Sequence, residues 1–253
     1  LVAGLCGTAP AWSQANPDSV TLCHENEDAF PWLIKAKPGY SQIMVQHLEK
    51  QLGLPVKLSA MPWKQCLDSV KAGSVDGAIN ASFTKDRAEF ALYPLKLDGE
   101  PDATKRMYRA SYALYKAKGA AVQWDGQKLE AKGTFGAQRG FSIVGQLKTL
   151  GATTEDTAPT ADELLERVAA GRYIAAAVQT TEAENSLASI AGLAGKIERV
   201  QPVLAEKPYY TIFSKSFAAK HANTTREIWR LEGKIRESGE FKTAVSHLMK
   251  SVD

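Results

Sequence analysis

Short apolar runs alternate with amphipathic stretches along the first eighty residues. Val20-Thr21-Leu22-Cys23 has the make-up of a short strand and runs into a polar loop, His24-Glu25-Asn26-Glu27-Asp28. Residues 41–52 then place Ile43, Met44, Leu48 and Leu52 on one side of a helix, with Gly53 as its stop. Pro55-Val56-Lys57-Leu58-Ser59 reads as the next strand. Pro62 opens a second helix, in which Trp63, Cys66, Leu67 and Val70 fall at i, i+3, i+4 and i+7 before Gly73 closes it. Residues 75–80 give a third strand. Strand, helix, strand, helix, strand predicts a parallel sheet with helices packed on it.

The second half repeats part of this unit. Thr160 and Glu163 form a capping-box pattern, Leu164, Leu165 and Val168 supply an apolar face, and Gly171 ends the helix before a buried strand over 173–179. Leu67 and Leu165, Val70 and Val168, Gly73 and Gly171, and Ser82 and Thr180 fall in register between the two copies. A single repeat of this kind predicts two similar α/β lobes rather than a solenoid. Two alternating segments, 108–115 and 209–213, would carry the chain between them, and the helical region 224–248, broken near Gly239, would pack back on the first. The expected division is 16–109 with 214–253 for the first lobe and 110–213, hinge strands included, for the second.

The chain has 253 residues, 44% hydrophobic and 23% charged, with 31 basic and 28 acidic side chains and a formal charge of +3. These values describe a globular protein, long enough for one large or two smaller domains, and not a disordered one. No basic run stands out, which argues against a nucleic-acid partner. Residues 1–15 differ from the rest. They carry no charge, begin with an apolar stretch and end in Ser13-Gln14-Ala15, a small-x-small arrangement. This predicts the tail of a signal peptide, export to the periplasm and a mature chain that starts near Asn16. Without the leader, Cys23 and Cys66 remain as a pair in an oxidising compartment, so a disulfide is expected, two separately buried thiols being the alternative.

Signatures of catalysis are mostly absent. The sequence has no phosphate-cradling glycine loop, no nucleophile elbow and no metal-type histidine pair, and neither a cofactor nor a metal is expected. His24 with Glu25 and Asp28 reads as a solvated acidic loop rather than a metal site. The chemistry-bearing residues sit instead in loops at the carboxyl ends of strands, where open α/β sheets bind ligands. These loops hold Phe30-Pro31-Trp32, Met61-Pro62-Trp63, the run from Asn80 through Ser82 to Arg87, and Gln138-Arg139-Gly140-Phe141-Ser142. Aromatic rings, hydroxyls and an arginine so placed suit a small polar ligand between two lobes. Arg87 offers a two-pronged donor for a carboxylate.

The order Trp63-x-x-x-Leu67-x-x-Val70-x-x-Gly73-x-x-Asp76-Gly77, then Thr84-Lys85-Asp86-Arg87, then Tyr93-Pro94, resembles the polar amino-acid periplasmic binding proteins of ABC transporters. The segment from Gly136 to Ser142 is similar to that family's lobe-two loop, and the resemblance runs over essentially all of 20–249. It implies a two-lobed α/β fold of two mixed sheets with flanking helices, joined by two hinge strands. It also implies capture of a small polar, carboxylate-bearing solute by hinge closure and delivery, by a monomer, to a membrane ABC permease. By the resemblance, Arg87 matches the carboxylate-binding arginine, and Asn80 and Ser82 match the contacts before it. Trp63 matches the stacking aromatic, Phe30 is a second wall, and Ser142 is the lobe-two hydroxyl. The family's ammonium-binding aspartate falls at Thr180, which is uncharged, and an ammonium buried without a counter-charge is costly. Either Glu182 or Glu25 replaces it, or the ligand is not an ordinary α-amino acid, which is the preferred expectation. Plainer roles stay open: core aromatics for Trp63 and Phe30, a cap or surface pair for Arg87, an N-cap for Ser142, and turn chemistry for Asn80, Ser82 and Thr180. Two other functions stay open as well. One is an exported sensory or interaction module. The other is an enzyme similar to cyclohexadienyl dehydratases, with Glu182 or Glu25 as its acid or base.

Overall fold

The computed structural model describes residues 16–249, so the expected leader at 1–15 lies outside the described residues. The chain begins with β1 (Val20–Glu25), α1 (Tyr40–Leu52), β2 (Val56–Met61), α2 (Trp63–Ala72) and β3 (Gly77–Ser82). α3 (Lys85–Ala88), β4 (Ala91–Leu92) and the long β5 (Tyr108–Ala117) follow. A small hairpin of β6 (Val122–Trp124) and β7 (Leu129–Ala131) precedes β8 (Thr134–Gln138), α4 (Ile143–Thr149) and β9 (Thr153–Ala158). Then come α5 (Ala161–Ala169), β10 (Ala175–Gln179), α6 (Thr180–Ser189) and β11 (Ile197–Ser214). Three helices close the chain: α7 (Lys215–Lys220), α8 (Ala222–Glu237) and α9 (Gly239–Met249).

The helix–glycine–strand unit occurs twice, as its residues dictate. α2 stops at Gly73 and α5 stops just before Gly171, and both glycines take a left-handed φ, 71° and 75°, that a residue with a Cβ rarely adopts. The strand that follows is buried in each case, β3 in the first copy and β10 in the second. The sheet order β2-β1-β3-β11-β5-β10-β8-β9 is symmetric about its centre. β1 lies parallel between β2 and β3, as β8 lies parallel between β9 and β10. β11 runs antiparallel to β3, as β5 does to β10. Two lobes of like topology result, each a sheet flanked by helices.

The two expected sheets are continuous, because β5 and β11 serve both. Residues 112–116 of β5 pair with β10, residues 209–213 of β11 pair with β3, and between them 108–111 pair only with 206–209. The crossing between lobes is this short two-stranded stretch. The disulfide between Cys23 and Cys66, with Cα atoms 5.6 Å apart, fastens α2 to β1 in the first lobe. Cys23, Cys66, Trp63, Val70 and Ile212 share one buried cluster around it.

Candidate functional site

Strand ends and helix starts converge where the two lobes meet. Arg87 is set by local chemistry: the Thr84 hydroxyl caps α3 by accepting from the Arg87 N–H, and the arginine side chain turns inward, only 7% exposed. Its Nη1 donates to the Ser82 carbonyl at 2.9 Å and to Ser82 Oγ at 3.2 Å, and its guanidinium lies 5.5 Å from the Trp63 ring. Its Nη2 crosses to the second lobe and donates to the Gly140 carbonyl at 2.9 Å. A buried guanidinium that donates to acceptors on both lobes is neither a helix cap nor a surface pair.

Ser142 stands at the start of α4 without capping it. Its hydroxyl meets Ser82 Oγ at 2.7 Å across the lobes and accepts from Lys207 Nζ at 3.2 Å. Burial, and secondarily the nearby Arg87, pulls the Lys207 ammonium down to about 8. Asn80 sits mid-strand with φ of 62°, an unusual value for an asparagine in a sheet, opposite an irregularity in the β11 register. Its Oδ1 accepts from Ser41 Oγ at 2.7 Å, which ties the kink to α1. Glu25 ends β1 and accepts from the Trp63 N–H at 3.1 Å and from Asn26 N–H at 2.7 Å, so its charge meets the start of α2.

Glu25, Trp63, Asn80, Ser82, Arg87 and Ser142 all line one cavity of about 40 Å³ between the lobes. That is room for about three waters. Phe30 and Thr180 do not line it. Phe30 is half-buried in a neighbouring cavity, and the aromatic that enters the cleft from the same tripeptide is Trp32. The Phe30-Pro31 peptide is cis, and Trp32 is 4% exposed. Thr180 opens α6, while strand alternation turns Val178 into the lobe-two core and Gln179 into the cleft.

Further residues of the cleft were not singled out from the sequence. Trp32 stacks on Tyr108, ring centroids 3.8 Å apart, and Tyr108 stacks on Tyr209 at 4.8 Å. Trp32 Nε1 donates to Gln179 Oε1 at 2.8 Å, again between lobes. Gln179 Nε2 donates to the Tyr209 hydroxyl at 3.1 Å, and the Tyr112 and Tyr209 hydroxyls meet at 2.8 Å. The legible signal was spacing: Tyr108 and Tyr112, four apart on a strand, share one face.

Glu182, one of the two acids that the sequence offers in place of the family's aspartate, reaches the cleft. It lines the cavity from the first turn of α6, is 3% exposed, and accepts from Gln138 Nε2 at 3.2 Å. Burial above all pushes its carboxyl up to about 8, with Asp162 and Glu25 adding to the effect and the Gln138 bond opposing it. Among the described residues no ion pair joins Arg87 to Glu25 or Glu182. No cluster there of three or more His, Cys, Asp or Glu is placed to hold a metal, and no helix is long and apolar enough to cross a membrane.

No protein-family profile matches the sequence, and no curated protein matches it. Solved structures match over nearly the whole chain. A histidine kinase sensor domain with similarity to periplasmic binding proteins matches with a TM-score of 0.72 at 15% identity, covering 91% of this chain and 96% of its own. The substrate-binding protein AbpA of an amino-acid ABC transporter from Streptococcus pneumoniae, bound to L-arginine, matches at 0.67 and 17%, covering 93% and 96%. The GluR0 ligand-binding core of Nostoc punctiforme, in complex with L-glutamate, matches at 0.67 and 16%, covering 93% and 98%. The chain therefore has the two-lobed periplasmic-binding-protein fold. The matched proteins are described as ligand-binding proteins and a sensor domain, and they share that fold with little sequence.

Proposed function

We propose that the protein binds a small solute carrying both a carboxylate and an amine in the cleft, between lobes that open and close about the crossing of β5 and β11, and that the closed form with the solute inside is what a membrane partner meets. The observation that carries this reading is charge. The cavity wall holds a guanidinium, Arg87, and two carboxyl groups, Glu25 and Glu182, neither of them paired with it; Glu182, protonated where it lies buried, would ionise against an ammonium. A zwitterion is the small molecule that complements both signs at once. Arg87, Ser82 and Ser142 would take its carboxylate, with Lys207 adding positive charge. Trp63 and the stack of Trp32, Tyr108 and Tyr209 would supply apolar walls. Domain division at 109/110 and 213/214, export to the periplasm, a monomeric state and delivery to an ABC permease belong to the same proposal. The similarity to amino-acid transporter proteins supports them. The similarity to a sensor domain supports signalling as the alternative outlet of the same closure.

A thermal-shift panel of amino acids, organic acids, polyamines and aromatic acids tests it. A ligand at 100 times its Kd adds roughly 2.7 kcal/mol. Stabilisation by an amino acid, lost in Arg87→Ala, is the expected result. An unchanged affinity in Arg87→Ala removes that residue from the site. A second reading has one observation behind it: Glu182 is a buried, largely protonated acid beside the cleft, as a dehydratase would need. Turnover of a cyclohexadienyl carboxylate, abolished in Glu182→Gln, would move the protein to the enzymes.

A further inference from the structure

Four side chains meet where the lobes touch and form a chain of hydrogen bonds. Arg87 Nη1 donates to Ser82 Oγ at 3.2 Å, Ser82 Oγ lies 2.7 Å from Ser142 Oγ, and Ser142 Oγ lies 3.2 Å from Lys207 Nζ. Ser82 ends β3 in the first lobe, Ser142 precedes α4 in the second, and Lys207 stands on β11 at the crossing between them. Closure of the lobes is what brings this chain together. The two hydroxyls and the guanidinium line the cleft cavity; Lys207 is half-buried and does not.

Counting protons along the chain gives Lys207 its part. An arginine can only donate, and so can a charged lysine. With both ends donating inward, the two hydroxyl protons share the single contact between the serines, and one of them has no acceptor among the described residues. With Lys207 neutral, every proton has a place: Arg87 donates to Ser82, Ser82 to Ser142, and Ser142 to the amine lone pair. The surroundings lean the same way. Lys207 makes no ion pair among the described residues, since Glu206 beside it turns to Arg109, and burial with the nearby Arg87 pulls its ammonium down to about 8. A neutral amine about 3 Å from a hydroxyl is the arrangement in which a lysine acts as base to a serine.

We propose that the cleft also hydrolyses small esters, with Ser142 as nucleophile, Lys207 as base, and Arg87 and Ser82 as donors to the oxyanion. This activity goes beyond the solute-binding reading and does not depend on it. Ser142 Oγ attacks the ester carbonyl carbon and passes its proton to Lys207 Nζ. The negative charge that develops on the carbonyl oxygen meets the Ser82 hydroxyl and the guanidinium, which has more N–H groups than the three bonds it makes. The carbon–oxygen bond to the alcohol then breaks, the alkoxide takes the proton from Lys207, and the acyl group stays on Ser142. Water attacks that acyl group and gives a proton to Lys207, the bond to Oγ breaks, and the proton returns to Oγ. One carboxylic acid and one alcohol leave for each ester and water consumed. The cavity, of about 40 Å³, limits the acyl group to a short chain such as acetyl.

Two probes test this on the whole chain. A fluorophosphonate should add its phosphonyl group to Ser142, located by peptide mass mapping, and p-nitrophenyl acetate should be hydrolysed over repeated turnovers. Ser142→Ala should lose both. The wild-type rate should rise with pH and level off above about 8, as Lys207 gives up its proton. Lys207→Arg keeps the charge and removes the base, so the rate should fall by roughly a hundredfold or more. Lys207→Met, with a smaller side chain at that site, should do the same. Absence of label on wild-type Ser142 overturns the proposal whatever the variants do. So does hydrolysis at the wild-type rate in Lys207→Arg, or hydrolysis that survives Ser142→Ala. A wild type that is unlabelled but stabilised by acetate or phosphate also overturns it, and shows that the surplus proton answers an anion instead. None of these results alters the amino-acid thermal-shift panel, so the solute-binding reading stands or falls separately.

Discussion

Two carboxyl groups, Glu182 and Glu232, are buried where a charge is poorly solvated, and burial pushes both up to about 8. Glu232 lies in the first lobe, where it accepts from the Thr211 hydroxyl, and its second oxygen has no partner among the described residues. The sign of the linkage follows from the raised value. Below the ordinary carboxyl range both the folded and unfolded states hold the proton. Between about 4.5 and 8 only the folded state holds it, so stability is lost as pH rises through that window, by about 1.4 kcal/mol per pH unit for each such group. Lys207, pulled down to about 8, acts above this range. Urea unfolding at pH 5, 6, 7 and 8 should therefore show falling stability, and Glu232→Gln should flatten the fall. The same slope in the variant would mean that Glu232 ionises normally. Glu232 was not legible in the sequence, since burial of a glutamate depends on partners far along the chain, whereas Glu182 was reachable as the acid that follows the lobe-two strand. Arg87 was legible because its position is set locally, by the Thr84 cap three residues earlier. In each neighbouring loop the residue beside the expected one enters the cleft: Trp32 beside Phe30, and Gln179 beside Thr180.

At the scale of elements, the disulfide joins the strand that ends in Glu25 to the helix that starts at Trp63, and the two also meet through the Trp63 N–H. Closing a span of 43 residues restricts the unfolded chain and is worth about 4 kcal/mol in the chain-entropy model. Reduction, or Cys23→Ser with Cys66→Ser, is expected to lower the unfolding free energy by roughly 2–4 kcal/mol and to weaken ligand binding, because two cleft residues stand on the joined elements. Stability unchanged by reductant would refute a structural role. α1, α2 and α5 were readable because each carries an apolar face and a glycine stop, and the buried strands because they are short apolar runs. β9 was not: Thr153-Thr154-Glu155-Asp156-Thr157 is almost wholly polar, as an edge strand with no buried face at those positions can be. The full length of β11 was hidden for a similar reason. Only its last third is a continuously buried run, while residues 198–207 mix charged and apolar side chains.

For the molecule as a whole, among the described residues three hydrogen bonds span the cleft directly: Arg87 to Gly140, Ser82 to Ser142, and Trp32 to Gln179. Every partner is a protein group, and Trp32, Arg87 and Gln179 are nearly inaccessible to water. Each such bond contributes on the order of 1 kcal/mol net, so together they can hold the lobes closed without help. A ligand entering this cleft must then first draw on the minor open population, which weakens its apparent affinity by the open fraction. The crossing at 108–111 and 206–208 is where such a motion would bend, because there β5 and β11 pair with each other alone. Gln179→Ala removes the Trp32 bond and the amide that holds the Tyr112 and Tyr209 hydroxyls, and loosens closure without touching Arg87. Small-angle scattering should find the wild type closed with and without amino acid, near the roughly 18 Å radius of gyration of a compact chain this long. The variant should be wider alone and should contract on adding ligand. A wild type that is already wide in the absence of ligand would show that the three bonds do not hold the lobes, and closure would then depend on the solute.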